Sequence, residues 1–272
     1  SLLIVSIFVH KLTQTMEKLS HAVVTGAGTG IGAATTKLLV NNNIPVTLMG
    51  RRKDVLKNTA DKLGKSDLVQ TIVCDVSSEE SVQQAFSLAA DAKGFGLIDV
   101  LVNNAGIAPS APFHKLTFEE WNSVFEINLH GVYHCTQAVL SGMREQKFGR
   151  IINIASTAAQ RGYAYVSAYC AAKHGVLGLS RALALETARQ GITVNAVCPG
   201  FTDTDIIRSS VASIQDKTGR SEAEALAEFT RVNPQARLVL PEEVANVVLW
   251  LCAEESSSIT GQAISVSGGE VM

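Results

Sequence analysis

The hydrophobic positions of this chain gather into short, nearly unbroken runs separated by stretches of helical spacing. Residues 21–25, 45–49, 68–74, 97–102, 151–154, 192–197 and 263–266 are such runs, rich in Val, Ile, Leu and Ala. Runs without polar alternation suit strands covered on both faces, the usual condition of a parallel sheet. Helices are expected between them: one entered from the glycine stretch 26–32 and reaching about Val40, one ending near Asp91, and one over about 121–139. Another begins at 168–173, and a further one at Pro241, proline being well suited to a first helical turn. Capping-box spacing marks three starts: Ser77 with Glu80, Thr117 with Glu120, and Ser221 with Glu224. Strand and helix alternate throughout, which predicts a single doubly wound α/β domain, a mostly parallel sheet with helices on both faces.

Two stretches carry candidate chemistry. The first is Thr25-Gly26-Ala27-Gly28-Thr29-Gly30-Ile31-Gly32, between the first strand and its helix. Glycines let a backbone turn sharply and approach a ligand, and the helix beyond offers free N–H groups and a positive dipole end. A pyrophosphate is the natural guest. The second strand then ends in Gly50-Arg51-Arg52, where an acidic residue would hold a ribose 2′-hydroxyl. A small residue followed by two cations favours a 2′-phosphate, so NADP(H) is expected ahead of NAD(H). Asp75 and Val76, past the third strand, are placed to meet an adenine.

The second stretch follows the strand at 151–154 with Ser156, and then places Tyr169 and Lys173 four residues apart on one helix face. A free phenol titrates near 10, and a neighbouring ammonium lowers that value by roughly 1–3 units. With Ser156 holding a substrate oxygen against the phenol, the trio suits proton exchange with an alcohol or carbonyl.

Bulk properties narrow the classes. The chain has 272 residues, 46% hydrophobic and 18% charged, and a net charge of −2, so it is globular and carries no basic run for nucleic acid. Its five dispersed cysteines form no C-x-x-C pair, as in a reduced, cytosolic setting. His130 and His134 have metal-pair spacing, but a catalytic Glu and a third ligand are missing, and no metal is expected. Residues 1–15 are expected to stand outside the fold, with 16–272 forming the catalytic domain. Their apolar part is too short to span a bilayer.

The set Thr25, Gly26, Gly30 and Gly32, with Asn103-Asn104-Ala105-Gly106, Asn128, Ser156, Tyr169 and Lys173, resembles the classical short-chain dehydrogenase/reductases. Pro199, Gly200, Thr202 and Thr204 match that family's nicotinamide-side motif, and residues 151–200 are similar to ketoreductases of acyl and polyketide thioesters. The resemblance covers about residues 20–272 and implies a seven-stranded sheet. It implies a catalytic tetrad of Asn128, Ser156, Tyr169 and Lys173. Within it Tyr169 gives or takes the proton, Ser156 orients the oxygen, Lys173 also grips the nicotinamide ribose, and Asn128 holds a water. Asn103, Ala105 and Gly106 would lie along the cofactor.

Gly28 departs from the family pattern and is expected to loosen the loop. A basic residue inside that loop is lacking, which leaves the 2′-phosphate to Arg51 and Arg52. Residues 201–235 form a variable excursion, expected as a helical lid; Tyr163, Tyr165, Phe201, Ile206 and Ile207 are candidate pocket-lining residues that serve equally well as core. The expected activity is reversible hydride transfer between NADP(H) and a ketone or secondary alcohol, a 3-oxoacyl thioester or polyketide-like ketone among them. An NAD-dependent catabolic alcohol dehydrogenase and a non-catalytic dinucleotide-binding regulator stay open beside it. The family also implies a cytoplasmic homo-oligomer, a tetramer.

Overall fold

The structure is a computed structural model that describes residues 19–91 and 94–272. The expected extension over residues 1–15 lies outside the described residues. One sheet of seven parallel strands runs in the order β3-β2-β1-β4-β5-β6-β7. The strands are β1 (Ala22–Thr25), β2 (Val46–Gly50), β3 (Val69–Val73), β4 (Val100–Asn103), β5 (Gly149–Ile154), β6 (Ile192–Pro199) and β7 (Ala263–Val266).

Period-two geometry sends alternate side chains of each strand to opposite faces. From β1, Ala22 and Val24 join one core with Leu48, Val102 and Ile152, while Val23 joins another with Met49, Leu101 and Ile151. The first core is closed by α1 (Gly30–Asn41), α2 (Lys53–Leu63) and α9 (Pro241–Cys252), through Leu39, Leu56, Val244 and Val248. The second is closed by α3 (Glu79–Asp91), α5 (Gly131–Gln146) and α6 (Ser167–Thr187), through Phe86, Cys135, Met143 and Leu183. Both faces of the five inner strands are therefore covered, which is why those strands read as solid apolar runs, while the edge strands β3 and β7 stay partly exposed.

Three sequence expectations change at the level of elements. The fourth strand starts at Val100, not 97, because the Asp99 carboxylate turns back to accept from Ser20 N at 2.5 Å and Ser20 Oγ at 2.7 Å. The single helix expected over 121–139 is two, α4 (Phe118–Phe125) and α5, joined by a π-helical turn at Glu126–His130 that contains Asn128. The capping boxes at Thr117–Glu120 and Ser221–Glu224 form, but the one at Ser77–Glu80 does not. Ser77 donates instead to Asp75 Oδ1 at 2.7 Å, and Ser78 Oγ accepts from Ser81 N at 3.2 Å, so the cap moves one residue along.

The 201–235 excursion holds α7 (Asp205–Thr218) and α8 (Glu222–Thr230), which share a small core of Ile207, Val211 and Ala225. The strand order reverses between β1 and β4. Crevices for ligands form beyond the carboxyl ends of strands at such a point, and the loops leaving β1 and β4 carry the glycine stretch and Asn104–Gly106.

Candidate active site

The glycine loop is held from below by the loop after β4. Thr25 Oγ1 accepts from Asn104 N at 3.0 Å and Ala105 N at 3.1 Å, while Asn104 Nδ2 donates to Thr25 O and Gly26 O. The Thr25 side chain is thus spent on bracing the loop. Two positions demand glycine outright. Gly26 has φ +62°, and a Cβ on Gly32 would lie 2.3 Å from Gly26 O.

Gly28 does the reverse of loosening the loop. Its carbonyl accepts from Thr59 Oγ1 at 2.9 Å, and a Cβ there would lie 2.8 Å from Val55 Cγ1 of α2. Behind the loop, Thr29 caps α1 without a side-chain hydrogen bond, and the first turn holds no acidic residue. The N–H groups and positive end of a full-length helix are therefore left for an anion. Thr204 closes on the loop from the lid side, its Cγ2 lying 2.9 Å from where a side chain on Gly30 would begin.

At the end of β2, Gly50 packs on Leu56, and Arg51 and Arg52 are exposed with no side-chain hydrogen bond or ion pair to another described residue. Asp75 Oδ1 accepts from Ser77 N at 3.1 Å as well as from its hydroxyl, and Val76 packs against Gly131. A tight loop, a free helix end and two uncommitted cations fit a phosphorylated dinucleotide.

The Asn103 side chain has its partners inside the protein. Register pairs it with Asn153 on β5, and its amide donates to Asn153 Oδ1 at 2.9 Å and Thr136 Oγ1 at 3.3 Å. Asn153 continues to Ser180 Oγ at 2.8 Å. This side chain stitches the sheet to α6 inside the protein and does not face the crevice.

Ser156, Tyr169 and Lys173 come together beyond the end of β5. Ser156 caps a short 3-10 turn (Thr157–Ala159), its Oγ accepting from Ala158 N at 3.1 Å. Tyr169 is half-buried; burial pushes its phenol up to about 12, with a hydrogen bond from Ser156 acting in the opposite sense. Lys173 is 4% exposed and donates to Ile154 O at 2.8 Å, with Nζ 5.7 Å from the Tyr169 ring centre. Burial lowers it to about 8, a nearby Cys198 opposing the shift. The expected lowering of the phenol by the ammonium is therefore absent in the bare protein, because desolvation of the buried hydroxyl outweighs any neighbour.

Asn128 reaches the trio through the loop after β4. Its Oδ1 accepts from Ile107 N at 3.3 Å, and its Nδ2 donates to Ile107 O at 3.0 Å and Val124 O at 2.9 Å. A Cβ on the intervening Gly106 would lie 2.7 Å from Asn128 Oδ1 and 3.7 Å from Lys173 Nζ. The Asn128 side chain is engaged at both ends, so the expected grip on a water does not fall to its amide NH2 group.

A family model for short chain dehydrogenases matches residues 20–215. The chain belongs to the short-chain dehydrogenase family. A protein of Streptomyces virginiae assigned as the ketoacyl reductase of the monensin polyketide synthase is 40% identical over 95% of this chain and 98% of its own length. The acetoacetyl-CoA reductase of Shinella zoogloeoides is 39% identical, over 92% of this chain and 97% of that one. Among solved structures, a variant of actinorhodin polyketide ketoreductase with NADPH is 37% identical, with a TM-score of 0.88 over 94% of this chain and 98% of that one. A seven-stranded parallel sheet with these loops is what family membership implies, and relatives of this kind are oxidoreductases of the C=O/CH–OH pair.

The candidate pocket residues separate. Tyr163 and Phe201 meet edge to face, ring centres 5.8 Å apart, next to the Ser156 turn. Ile207 takes the core alternative and lies between the lid helices. Ile206 is 47% exposed, and Tyr165 is 65% exposed at φ +68°. Pro199 ends β6 and Gly200 follows it, and Thr202 Oγ1 donates to Gly200 O at 2.9 Å. Sequence reading missed Ile107, whose backbone holds Asn128, and Thr157 with Glu270, which hold Tyr163. Only the adjacency of Thr157 to Ser156 carried any signal. Among the described residues, no helix is long and apolar enough to cross a membrane, and no three His, Cys, Asp or Glu side chains cluster as metal ligands do.

Proposed function

We propose that this protein is an NADP(H)-dependent ketone reductase whose substrates are 3-oxoacyl thioesters or polyketide-like ketones. The observation that carries this reading is the convergence of Ser156, Tyr169 and Lys173 at the mouth of a glycine cradle flanked by the exposed Arg51 and Arg52. The kinship with acetoacetyl-CoA and polyketide reductases, one of them solved with NADPH, supports the substrate class and the cofactor.

When bound, the nicotinamide supplies the hydride. Tyr169 gives its proton to the carbonyl oxygen as charge develops there. A phenol held near 12 is fully protonated at neutral pH, and an alkoxide is a far stronger base than phenolate, so the transfer runs downhill. Ser156 donates to the same oxygen and positions it. Lys173, mostly cationic below its value of about 8, stabilises the phenolate that is left. Asn128 fixes the 104–107 loop against Lys173. Gly26, Gly28, Thr29, Gly30, Ile31 and Gly32 offer the backbone that receives the pyrophosphate. Assembly as a tetramer and residence in the cytoplasm complete the reading.

Tyr169→Phe tests it. The variant keeps cofactor affinity and loses turnover by about 10²–10⁴-fold, the worth of a positioned acid. Near-wild-type reduction of acetoacetyl thioesters by that variant would remove the phenol from the mechanism.

A further inference from the structure

The segment after β7 reaches the site beside Gly200. Gly268 at φ +63° and Gly269 at φ +94° turn the chain beneath the lid, where a Cβ on Gly268 would lie 2.1 Å from Asn233 Oδ1. Glu270 is set by this turn, its N donating to Ser267 O at 3.2 Å, and its carboxylate points inward. Oε1 accepts from the Tyr163 hydroxyl; Oε2 is buried with no hydrogen-bond partner among the described residues, 2.9 Å from where a side chain on Gly200 would begin.

The same Tyr163 oxygen lies 2.8 Å from Thr157 Oγ1. A phenol has one proton. With that proton directed at Glu270, Thr157 supplies its own hydroxyl hydrogen to the phenol oxygen, which makes a directed chain from Thr157 through Tyr163 to Glu270. Burial and the carboxylate both hold this phenol well above its usual value, so it stays a donor. The Tyr163 ring is gripped as well. Phe201 meets its edge, Phe229 of α8 meets Phe201 with centres 5.1 Å apart, and the Arg161 guanidinium sits 5.0 Å over its face. The Ser156 turn, the root of the lid and the segment after β7 thus meet at one aromatic ring, and a lid helix backs it through Phe201.

We propose that Glu270 is a positioning residue that sets substrate specificity: it holds the Tyr163 ring, itself bonded to the Thr157 that follows Ser156, as one wall of the carbonyl end of the pocket. This rests on the ketone-reductase reading and says which end of the substrate that wall reads. A bonded tyrosine gives a rigid, narrow wall that favours a flexible 3-oxoacyl chain. A released one gives a wider wall that admits bulky cyclic ketones.

The test uses the full chain with NADPH, acetoacetyl-CoA and a bulky bicyclic ketone (trans-1-decalone), in Glu270→Ala, Glu270→Gln, Tyr163→Phe and the Glu270→Ala/Tyr163→Phe pair. Losing a hydrogen bond to a charged acceptor should raise KM for acetoacetyl-CoA about tenfold, with kcat and NADPH affinity within about twofold. The ratio of kcat/KM for the bulky ketone over acetoacetyl-CoA should rise about as much. Glu270→Gln, whose amide oxygen still accepts, should stay within about threefold of wild type, and the pair should cost no more than either single change. Unchanged KM in Glu270→Ala, equal falls in kcat and cofactor affinity, or effects that multiply in the pair would overturn the role.

Hydrogen exchange separates this from failure of the function. Faster exchange in Glu270→Ala confined to residues 157–166 supports the contact without any turnover, and unchanged protection there refutes it. A wild-type protein that reduces no ketone would overturn the function, and the specificity role with it, whatever the exchange shows.

Discussion

At the scale of single residues, burial decides the electrostatics here more than neighbours do. Tyr169 and Lys173 share a helix face, yet the phenol rises to about 12 and the ammonium falls to about 8, because both ionised forms lose water. The pair is matched by opposite shifts from one cause. Arg51 and Arg52 are the contrary case: both are exposed and, among the described residues, neither side chain has a partner, which leaves their guanidinium groups open to a ligand. Arg51→Ala should cut NADPH affinity by about 10–100-fold while leaving NADH affinity within about threefold, as expected for one charge-assisted bond to a 2′-phosphate. Fluorescence titration with both cofactors checks this, and a parallel loss of NADH would assign Arg51 to the shared part of the dinucleotide. The cations, the glycines and the Tyr–Lys spacing were all legible from residue order, since each acts through its own backbone or helix turn. Glu270 was not. Its function depends on meeting Tyr163 across 107 positions of chain.

Elements carry the next layer. The π-helical turn at Glu126–His130 interrupts what reads as one helix, and within it Asn128 is placed to engage Ile107 on another loop. Periodicity marked a helix there correctly, but an inserted turn changes local winding without changing the apolar pattern. The capping boxes divide in the same way. Thr117 and Ser221 sit on exposed turns where nothing competes; Ser77 lies next to Asp75, whose carboxylate takes its hydroxyl. The glycine loop is the element most closely specified by sterics. Gly32→Ala forces a methyl toward Gly26 O, 2.3 Å from its ideal place, so the loop must move. The expected result is a loss of about 1–3 kcal/mol in denaturant unfolding together with a large drop in NADPH binding. Unaltered binding would show that the loop does not hold the pyrophosphate.

On the scale of the whole molecule, the sheet is braced at the end remote from the site by a buried polar chain. His21 Nδ1 lies 3.1 Å from Gly96 O and so carries its proton there; Nε2 accepts from Thr47 Oγ1 at 2.7 Å, which in turn accepts from Gln70 Nε2 at 2.5 Å. Protonation would set an Nε2–H against the Thr47 hydroxyl hydrogen, which would have to turn away, and burial keeps the His21 pKa below its ordinary value. A lowered folded-state pKa means stability that is complete above the unfolded value near 6.5 and is lost as pH falls through the folded value. The urea midpoint should therefore drop between pH 7.5 and 5, with a shallower drop in His21→Gln; equal slopes would clear His21 of the effect.

The sequence alone determined the parallel α/β order, the loop that follows β1, the Tyr169–Lys173 face and the charge at the end of β2. Each is a matter of local pattern: two-sided burial of short strands, φ-permissive glycines, one turn of helix, uncompensated arginines. Tertiary structure decided the direction of both pKa shifts, the inward turn of Asn103, the burial of Ile207 in the lid core and the meeting of Glu270 with Tyr163. These depend on desolvation and on contacts between residues far apart along the chain, which exist only once the sheet has brought its strand ends together.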